Sequence, residues 1–351
     1  MTRIVDRIWY DPSGWAVAAR FALTPPAALY GSVIAARNAL FDRGWFDVES
    51  SPIPAVSIGN LAVGGTGKTP VAAWMAGELT SRGAHPAIVM RGYGADEPLV
   101  HTALNPGVPV LVHADRALAL RAAAARGADL AVMDDAFQHR RASRTEDVVL
   151  VSADRWREPF RVLPAGPGRE PLSALRRASL VLVTRKATSA RDAVALQTRL
   201  ARRTRSGQGA VAYLSLGPLV DYLTGAERPL ADLRGARVLV ASGVGDPRAL
   251  AAQLEYAGAV VQSREFPDHH VYESADIAAL ISEGSRTDFL VCTLKDAVKL
   301  GMAWPRGAGP LWYVSQRCEM ESGGAEMSAL LDRLLAARSL HQLAAGPVPG
   351  A

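Results

Sequence analysis

The stretch that most constrains the fold is Val63 to Pro70, "VGGTGKTP", because a strand-like run, "PAVSIGN", precedes it and a helical run follows. A glycine-rich turn ending in Lys-Thr between a strand and a helix is the context of a phosphate-binding loop. Against the pattern G-x-x-x-x-G-K-[ST], Ala62 stands at the first position, while Gly67, Lys68 and Thr69 match. Gly64, Gly65 and Gly67, with Thr66 among them, let backbone amides converge on phosphate oxygens. Lys68 is placed to reach the β- and γ-phosphates, and the Thr69 hydroxyl to ligate Mg²⁺. Pro70 suits the first helical turn, where its missing N–H costs nothing. A glycine-rich connection that binds nothing is the alternative.

From about Pro54 the chain alternates short apolar runs with helical stretches. The strand candidates are "PAVSI", "PAIVM", "VPVLV", "DLAVM", "DVVLV" and "SLVLVT". Continuous apolar runs of this length fit strands buried on both faces of a parallel sheet. The polar "RRTRSGQG" at Arg202 to Gly209 marks a boundary, and a second alternation follows from "RVLVAS" to "FLVCT". The expected fold class is α/β: a P-loop NTPase-like parallel sheet domain, a second, smaller α/β domain, and an N-terminal amphipathic element associated with a membrane. The expected divisions are 1–45, 46–205 and 206–340, with a flexible tail at 341–351.

Composition narrows the partners. The 351 residues include 39 basic and 34 acidic ones, a net charge of +5, which favours anionic ligands without singling out nucleic acid. Two cysteines, Cys292 and Cys318, write no disulfide framework and no zinc site.

The uncharged run from Phe21 to Ala36 is bracketed by Arg20 and Arg37 and is shorter than the roughly 20 residues that span a bilayer as a helix. Pro25-Pro26 is expected to break it near its start. Leu29, Tyr30, Val33, Ile34, Leu40 and Phe41 recur at helical spacing, with Trp9, Tyr10 and Trp15 upstream among arginines. Such a segment fits a helix lying in one membrane leaflet, and equally a helix packed on the protein's own core.

A phosphate-binding loop needs an acidic partner for magnesium at the end of another strand. "DLAVMDDAFQH" offers Asp134, to hold Mg²⁺ directly or through water, and Asp135 to assist it, although paired aspartates at a strand end also cap helices. A membrane-attached ATPase switch is a competing reading, but its variant loop carries a second lysine where this chain has Val63. A GTPase would need N/T-K-x-D; in "CTLKDAVKL", Lys295 and Asp296 are adjacent.

The ordered blocks "SIGNLAVGGTGKTP", "RGYGADEP", "DDAFQHR", "LPAGPGREPLSALRRA", "FPDHHVY" and "TLKDAVKL" resemble the tetraacyldisaccharide 4′-kinase family, the lipid A 4′-kinases of Gram-negative bacteria. The resemblance covers roughly residues 5 to 335. Departures are Ala136 and Ala95, and Leu294 where the family usually has Glu.

The resemblance implies a kinase using ATP and Mg²⁺. Its acceptor would be the 4′-hydroxyl of an acylated glucosamine disaccharide 1-phosphate, and its setting the cytoplasmic face of the bacterial inner membrane, as a peripheral or monotopic protein. It implies that Asp96 is the general base and that His269, in the D-H-x-x-Y block, orients it. By local sequence Asp96 also reads as a helix cap. Tyr93 is open between contacting nucleotide or acceptor and packing. Arg169 and Glu170, in "GREP", are open between positioning phosphate and holding structure. The oligomeric state is not legible.

Overall fold

The computed structural model describes residues 3–92, 94, 96–244, 247–267 and 270–345. The chain opens with helices α1 (Arg3–Tyr10), α2 (Gly14–Ala22) and α3 (Thr24–Asp42). The alternation then runs β1 (Ala55–Asn60), α4 (Lys68–Ser81), β2 (Pro86–Met90), α5 (Asp96–Leu104), β3 (Val110–Val112), α6 (Arg116–Ala125) and β4 (Leu130–Asp134). It continues with β5 (Glu146–Ser152), a 3-10 turn (Leu172–Arg177), β6 (Leu180–Arg185), α7 (Ala190–Ala201) and β7 (Gly209–Asp221). The last part holds β8 (Glu227–Arg228), β9 (Arg237–Ser242), α8 (Pro247–Tyr256), β10 (Val260–Glu265), α9 (Ser274–Gly284) and β11 (Phe289–Thr293). Helix α10 (Leu294–Leu300), β12 (Trp312–Ser322) and α11 (Gly324–Ala345) complete it.

Two compact units result, and their limits differ from a single cut near residue 205. The first draws on Met1–Gly92, Asn105–Tyr213 and Glu319–Ala351, the second on Tyr93–Leu104 and Leu214–Cys318. Helix α5 belongs to the second because its Val100 packs with Leu294 and Val298 of α10. Helix α11 belongs to the first: Arg333 pairs with Glu146 at 2.6 Å, Asp332 with Arg82 at 2.9 Å, and Arg338 donates to the Gly83 carbonyl at 2.7 Å. Both assignments rest on contacts between segments far apart in sequence, which local composition does not carry. The expected tail is helical as far as Ala345, and residues 346–351 lie outside the described residues.

In the first unit the strand order is β7-β6-β5-β1-β4-β2-β3, and each neighbouring pair is parallel. Buried residues on one side, such as Val89, Leu120 and Met133, and on the other, such as Val149, Val181 and Leu196, explain the uninterrupted apolar strands. From β1 the chain goes to β2 and β3 on one side and later returns to β5 and β6 on the other. The carboxyl end of β1 is thus a topological switch point, where α/β sheets bind ligands. Gly59 is required there: a Cβ on it would stand 2.4 Å from the Phe137 Cβ, so only glycine lets the loop after β4 lie against β1. The second unit has the order β10-β9-β11-β12-β7, with β8 antiparallel on β7.

The uncharged run is interrupted near its start, as expected: α2 ends at Ala22, Leu23 separates it from α3, and Pro25 and Pro26 stand in the first turn of α3, which tolerates proline. Among the described residues no helix is long and apolar enough to cross a membrane.

Candidate active site

The phosphate loop is built from β1 outward. Gly64 and Gly67 have φ of +108° and +83°, the left-handed region glycine adopts without strain, and Gly67 is the N-cap of α4. Lys68 and Thr69 therefore open the helix, where unsatisfied backbone N–H groups and the helix dipole favour an anion. Asn60 at the end of β1 fixes the loop: its Nδ2 donates to the Thr66 hydroxyl at 2.8 Å, and its carbonyl accepts from Gln138 at 2.8 Å. The Thr184 hydroxyl donates to the Thr66 carbonyl at 2.9 Å, and Val63 N–H to the Pro167 carbonyl at 2.9 Å. Gly65 faces open space.

The acidic pair arrives beside this loop through sheet register. Asp134 ends β4 opposite Ile58 of β1, and Asp135 follows with φ of +49°. That left-handed conformation is uncommon outside glycine and recurs at functional turns. Asp135 meets Lys68 Nζ at 3.9 Å and takes both arms of Arg169, at 2.8 and 3.2 Å. Burial pushes the Asp135 carboxyl up, but Lys68 and Arg169 outweigh it and hold the group below the usual carboxylate range. Arg169 also donates to the Asn60 side chain, and its backbone N–H to the Leu61 carbonyl at 2.6 Å.

Thr69, Asp134 and Asp135 are hard oxygen donors. Magnesium characteristically takes one or two carboxylates and completes its shell with water and substrate phosphates, so this donor set fits it. No cluster of three or more His, Cys, Asp or Glu that could hold a metal ion occurs among the described residues.

Glu170 follows Arg169 and is 1% exposed. It accepts from Asn38 of α3 at 2.6 Å and from Arg177 at 3.0 Å, so its role is to lock the loop that carries Arg169. A cavity of about 400 Å³ adjoins the phosphate loop at Val63 and Thr66 and is walled by Trp9, Tyr10, Trp156 and Phe160. The N-terminal helices are thereby part of the loop's surroundings.

Asp96 lies in the second unit, as the first residue of α5, and is 5% exposed. Lys295 and Lys299 of α10 approach its Oδ2 at 3.8 and 4.0 Å. Lys299 also stands 3.8 Å from Asp296 and donates to the His270 carbonyl at 3.1 Å. Fully buried Asp296 accepts from the Thr293 hydroxyl at 2.7 Å, the Tyr272 hydroxyl at 2.9 Å and Gly243 N–H at 3.1 Å. Burial pushes the Asp296 carboxyl up, and Thr293, Tyr272 and Lys299 oppose it. Burial and the Asp296 carboxylate push the Tyr272 phenol up, which keeps it a donor.

Lys68, Asp135 and Arg169 thus come together. Tyr93 and His269 lie outside the described residues. His270 stacks on Phe266 and bonds Asp276 at 2.8 Å, a structural role at the start of α9. Leu294 is buried against Val100, which gives this departure from the family pattern a packing role. Sequence reasoning missed Asn60, the Glu170–Asn38–Arg177 lock and the two lysines of α10. Asn60 lay in a quoted block, and the lysines stood four apart in "TLKDAVKL", the spacing of one helix face.

Comparisons with known proteins give the family and the fold. The model of the family described as tetraacyldisaccharide-1-P 4′-kinase matches residues 19–96 and 94–336. The tetraacyldisaccharide 4′-kinase of Anaeromyxobacter dehalogenans strain 2CP-1 is 36% identical over 95% of either chain. That of Halorhodospira halophila is 37% identical over 89% of this chain and 93% of its own. Among solved structures, LpxK from Aquifex aeolicus in complex with ATP has the same fold, with a TM-score of 0.69 at 24% identity over 91% of this chain and 99% of that one.

Proposed function

Since the chain belongs to the tetraacyldisaccharide-1-P 4′-kinase family, we infer that it transfers the γ-phosphoryl group of ATP to the 4′-hydroxyl of a tetraacylated glucosamine disaccharide 1-phosphate. The product is lipid IV-A, a precursor of lipid A. The observation that carries the reading is the ordered phosphate loop with Lys68 and Arg169 converging on Asp135 at the switch point of the sheet.

Phosphoryl transfer depends mainly on positioning and charge neutralisation. Lys68, directly after Gly67 of the loop, exchanges Asp135 for the β- and γ-phosphates when nucleotide binds. Arg169 holds Asp135 in place meanwhile. Thr69 and Asp134 would hold Mg²⁺, with Asp135 assisting, and the ion supplies neutralisation of phosphate charge. Asp96 takes the proton of the attacking hydroxyl: its O–H bond breaks, the new O–P bond forms, and the γ-phosphorus parts from the bridging oxygen of ADP. Family resemblance supports His269 as the group that orients Asp96, and Tyr93 as a nucleotide or acceptor contact.

The substrate's four acyl chains keep it in a bilayer, and the N-terminal helices suit that location. On α2 and α3, Phe21 is 81% exposed, Leu29 69% and Val33 59%, with Trp15 beside them in the chain. An apolar, uncharged outer face on helices that are not long and apolar enough to cross a membrane supports an interfacial element on the cytoplasmic face of the inner membrane.

The test is transfer of label from γ-labelled ATP to purified tetraacyldisaccharide 1-phosphate in detergent micelles, for wild type, Lys68→Ala and Asp96→Ala. Labelled lipid from wild type is expected, with kcat about 10²-fold lower or more in each variant. ATP hydrolysis without labelled lipid would overturn the reading.

A further inference from the structure

Helix α10 carries its two lysines, Lys295 and Lys299, one turn apart on one face, and both ammonium groups point at the same oxygen of Asp96. The face is set by packing: Leu294 and Val298, also one turn apart, bury against Val100 of α5. Thr293 caps the helix by accepting Asp296 N–H at 3.1 Å. Asp296 is in turn held by Tyr272 and Gly243, and Gly243 has no room for a side chain, since a Cβ would meet Tyr272 Oη at 3.0 Å and Asp296 Oδ1 at 3.1 Å. Lys299 then spans the two carboxylates, with its ammonium 5.4 Å over the Tyr272 ring. A fixed anion, Asp296, thus anchors a cation that reaches the nearly buried Asp96.

We propose that Lys299, with Lys295, is a positioning residue for the kinase reaction. The pair holds the Asp96 carboxylate in place before transfer, and Asp296, Tyr272 and Thr293 form the mount that holds Lys299. The proposal rests on the reading of Asp96 as general base.

The test uses the full-length enzyme with the acceptor in micelles. Lys299→Met is expected to lower kcat about 30-fold while KM for ATP and acceptor stays within about threefold. Lys299→Arg, which keeps the charge, should recover most of kcat. In an Asp96→Asn background, Lys299→Met should cost less than about threefold more, because residues acting as a unit are not additive. An unchanged kcat in Lys299→Met, or the full loss repeated on top of Asp96→Asn, would overturn the proposal and leave the base assignment standing. Near wild-type turnover by Asp96→Asn would remove the base assignment, and the proposal with it. Should Lys299→Met fail to fold, the more exposed Lys295→Met is read by the same split of kcat against KM and the same Asp96→Asn background, and an unchanged kcat there overturns the proposal equally.

Discussion

Asp154 shows at the residue scale how one carboxylate orders a loop beside the site. Its oxygens accept from the backbone N–H groups of Lys186, Ala187 and Thr188 at 2.8 to 2.9 Å and from the Thr188 hydroxyl at 2.9 Å. Burial pushes this carboxyl up, yet the four donors together hold it below its ordinary 3.8. A depressed folded value means that the stabilisation is complete above the unfolded value and is lost as pH falls through the folded one. Asp154→Asn presents N–H groups to backbone donors and is expected to cost about 2 kcal/mol at pH 7. Denaturant melts of the two proteins should converge as pH is lowered from 5 to 3; a gap that stays constant would show that the donors do not depend on the charge. Single residues also mark the limit of pattern reading. Lys68, Thr69 and the loop glycines were legible because their roles follow from backbone geometry local to eight residues. Asn60 was not, because nothing in its neighbourhood says that it will meet Thr66, Gln138 and Arg169.

At the scale of elements, α3 does two things at once. Its inner face bears Ala27, Asn38 and Phe41, all buried, and Tyr30, whose hydroxyl donates to the Arg169 carbonyl at 2.9 Å. Asn38 reaches Glu170, and Asp42 pairs with Arg140 at 2.7 Å and Arg176 at 2.9 Å. Its outer face exposes Leu29 and Val33. Helical spacing was evident in the sequence, but both faces are apolar, so periodicity alone left open which one would be buried and favoured neither core packing nor an interface. In the structure Ala27, Asn38 and Phe41 are buried, while Leu29 and Val33 stay exposed. Glu170→Gln leaves the largely buried Arg177 guanidinium without its anion and is expected to destabilise by about 3 kcal/mol. It should also weaken ATP binding several-fold by releasing the loop that carries Arg169. Thermal melts with and without ATP check both effects; equal melts would mean that Glu170 does not hold the loop.

For the whole molecule, the reaction and the place where it happens are separable. Replacing Phe21, Leu29 and Val33 together by serine should reduce sedimentation with anionic phospholipid vesicles about tenfold or more, since each apolar side chain removed from the interface costs on the order of 1 kcal/mol. Activity on micellar acceptor should persist within a few-fold, and undiminished vesicle binding would refute the interfacial role. The sequence by itself determined the α/β class, the phosphate loop, the acidic strand end and the kinship, because each is written in neighbouring residues or in an ordered set of short blocks. Only the tertiary structure decided that α5 joins residues 214–318, that α11 packs with residues 1–92 and 105–213, that Lys68 rests against Asp135, and that two lysines of α10 face Asp96. Those outcomes depend on which buried surfaces meet across long separations in the chain, and the free energy of such meetings belongs to pairs of segments that no local window contains together.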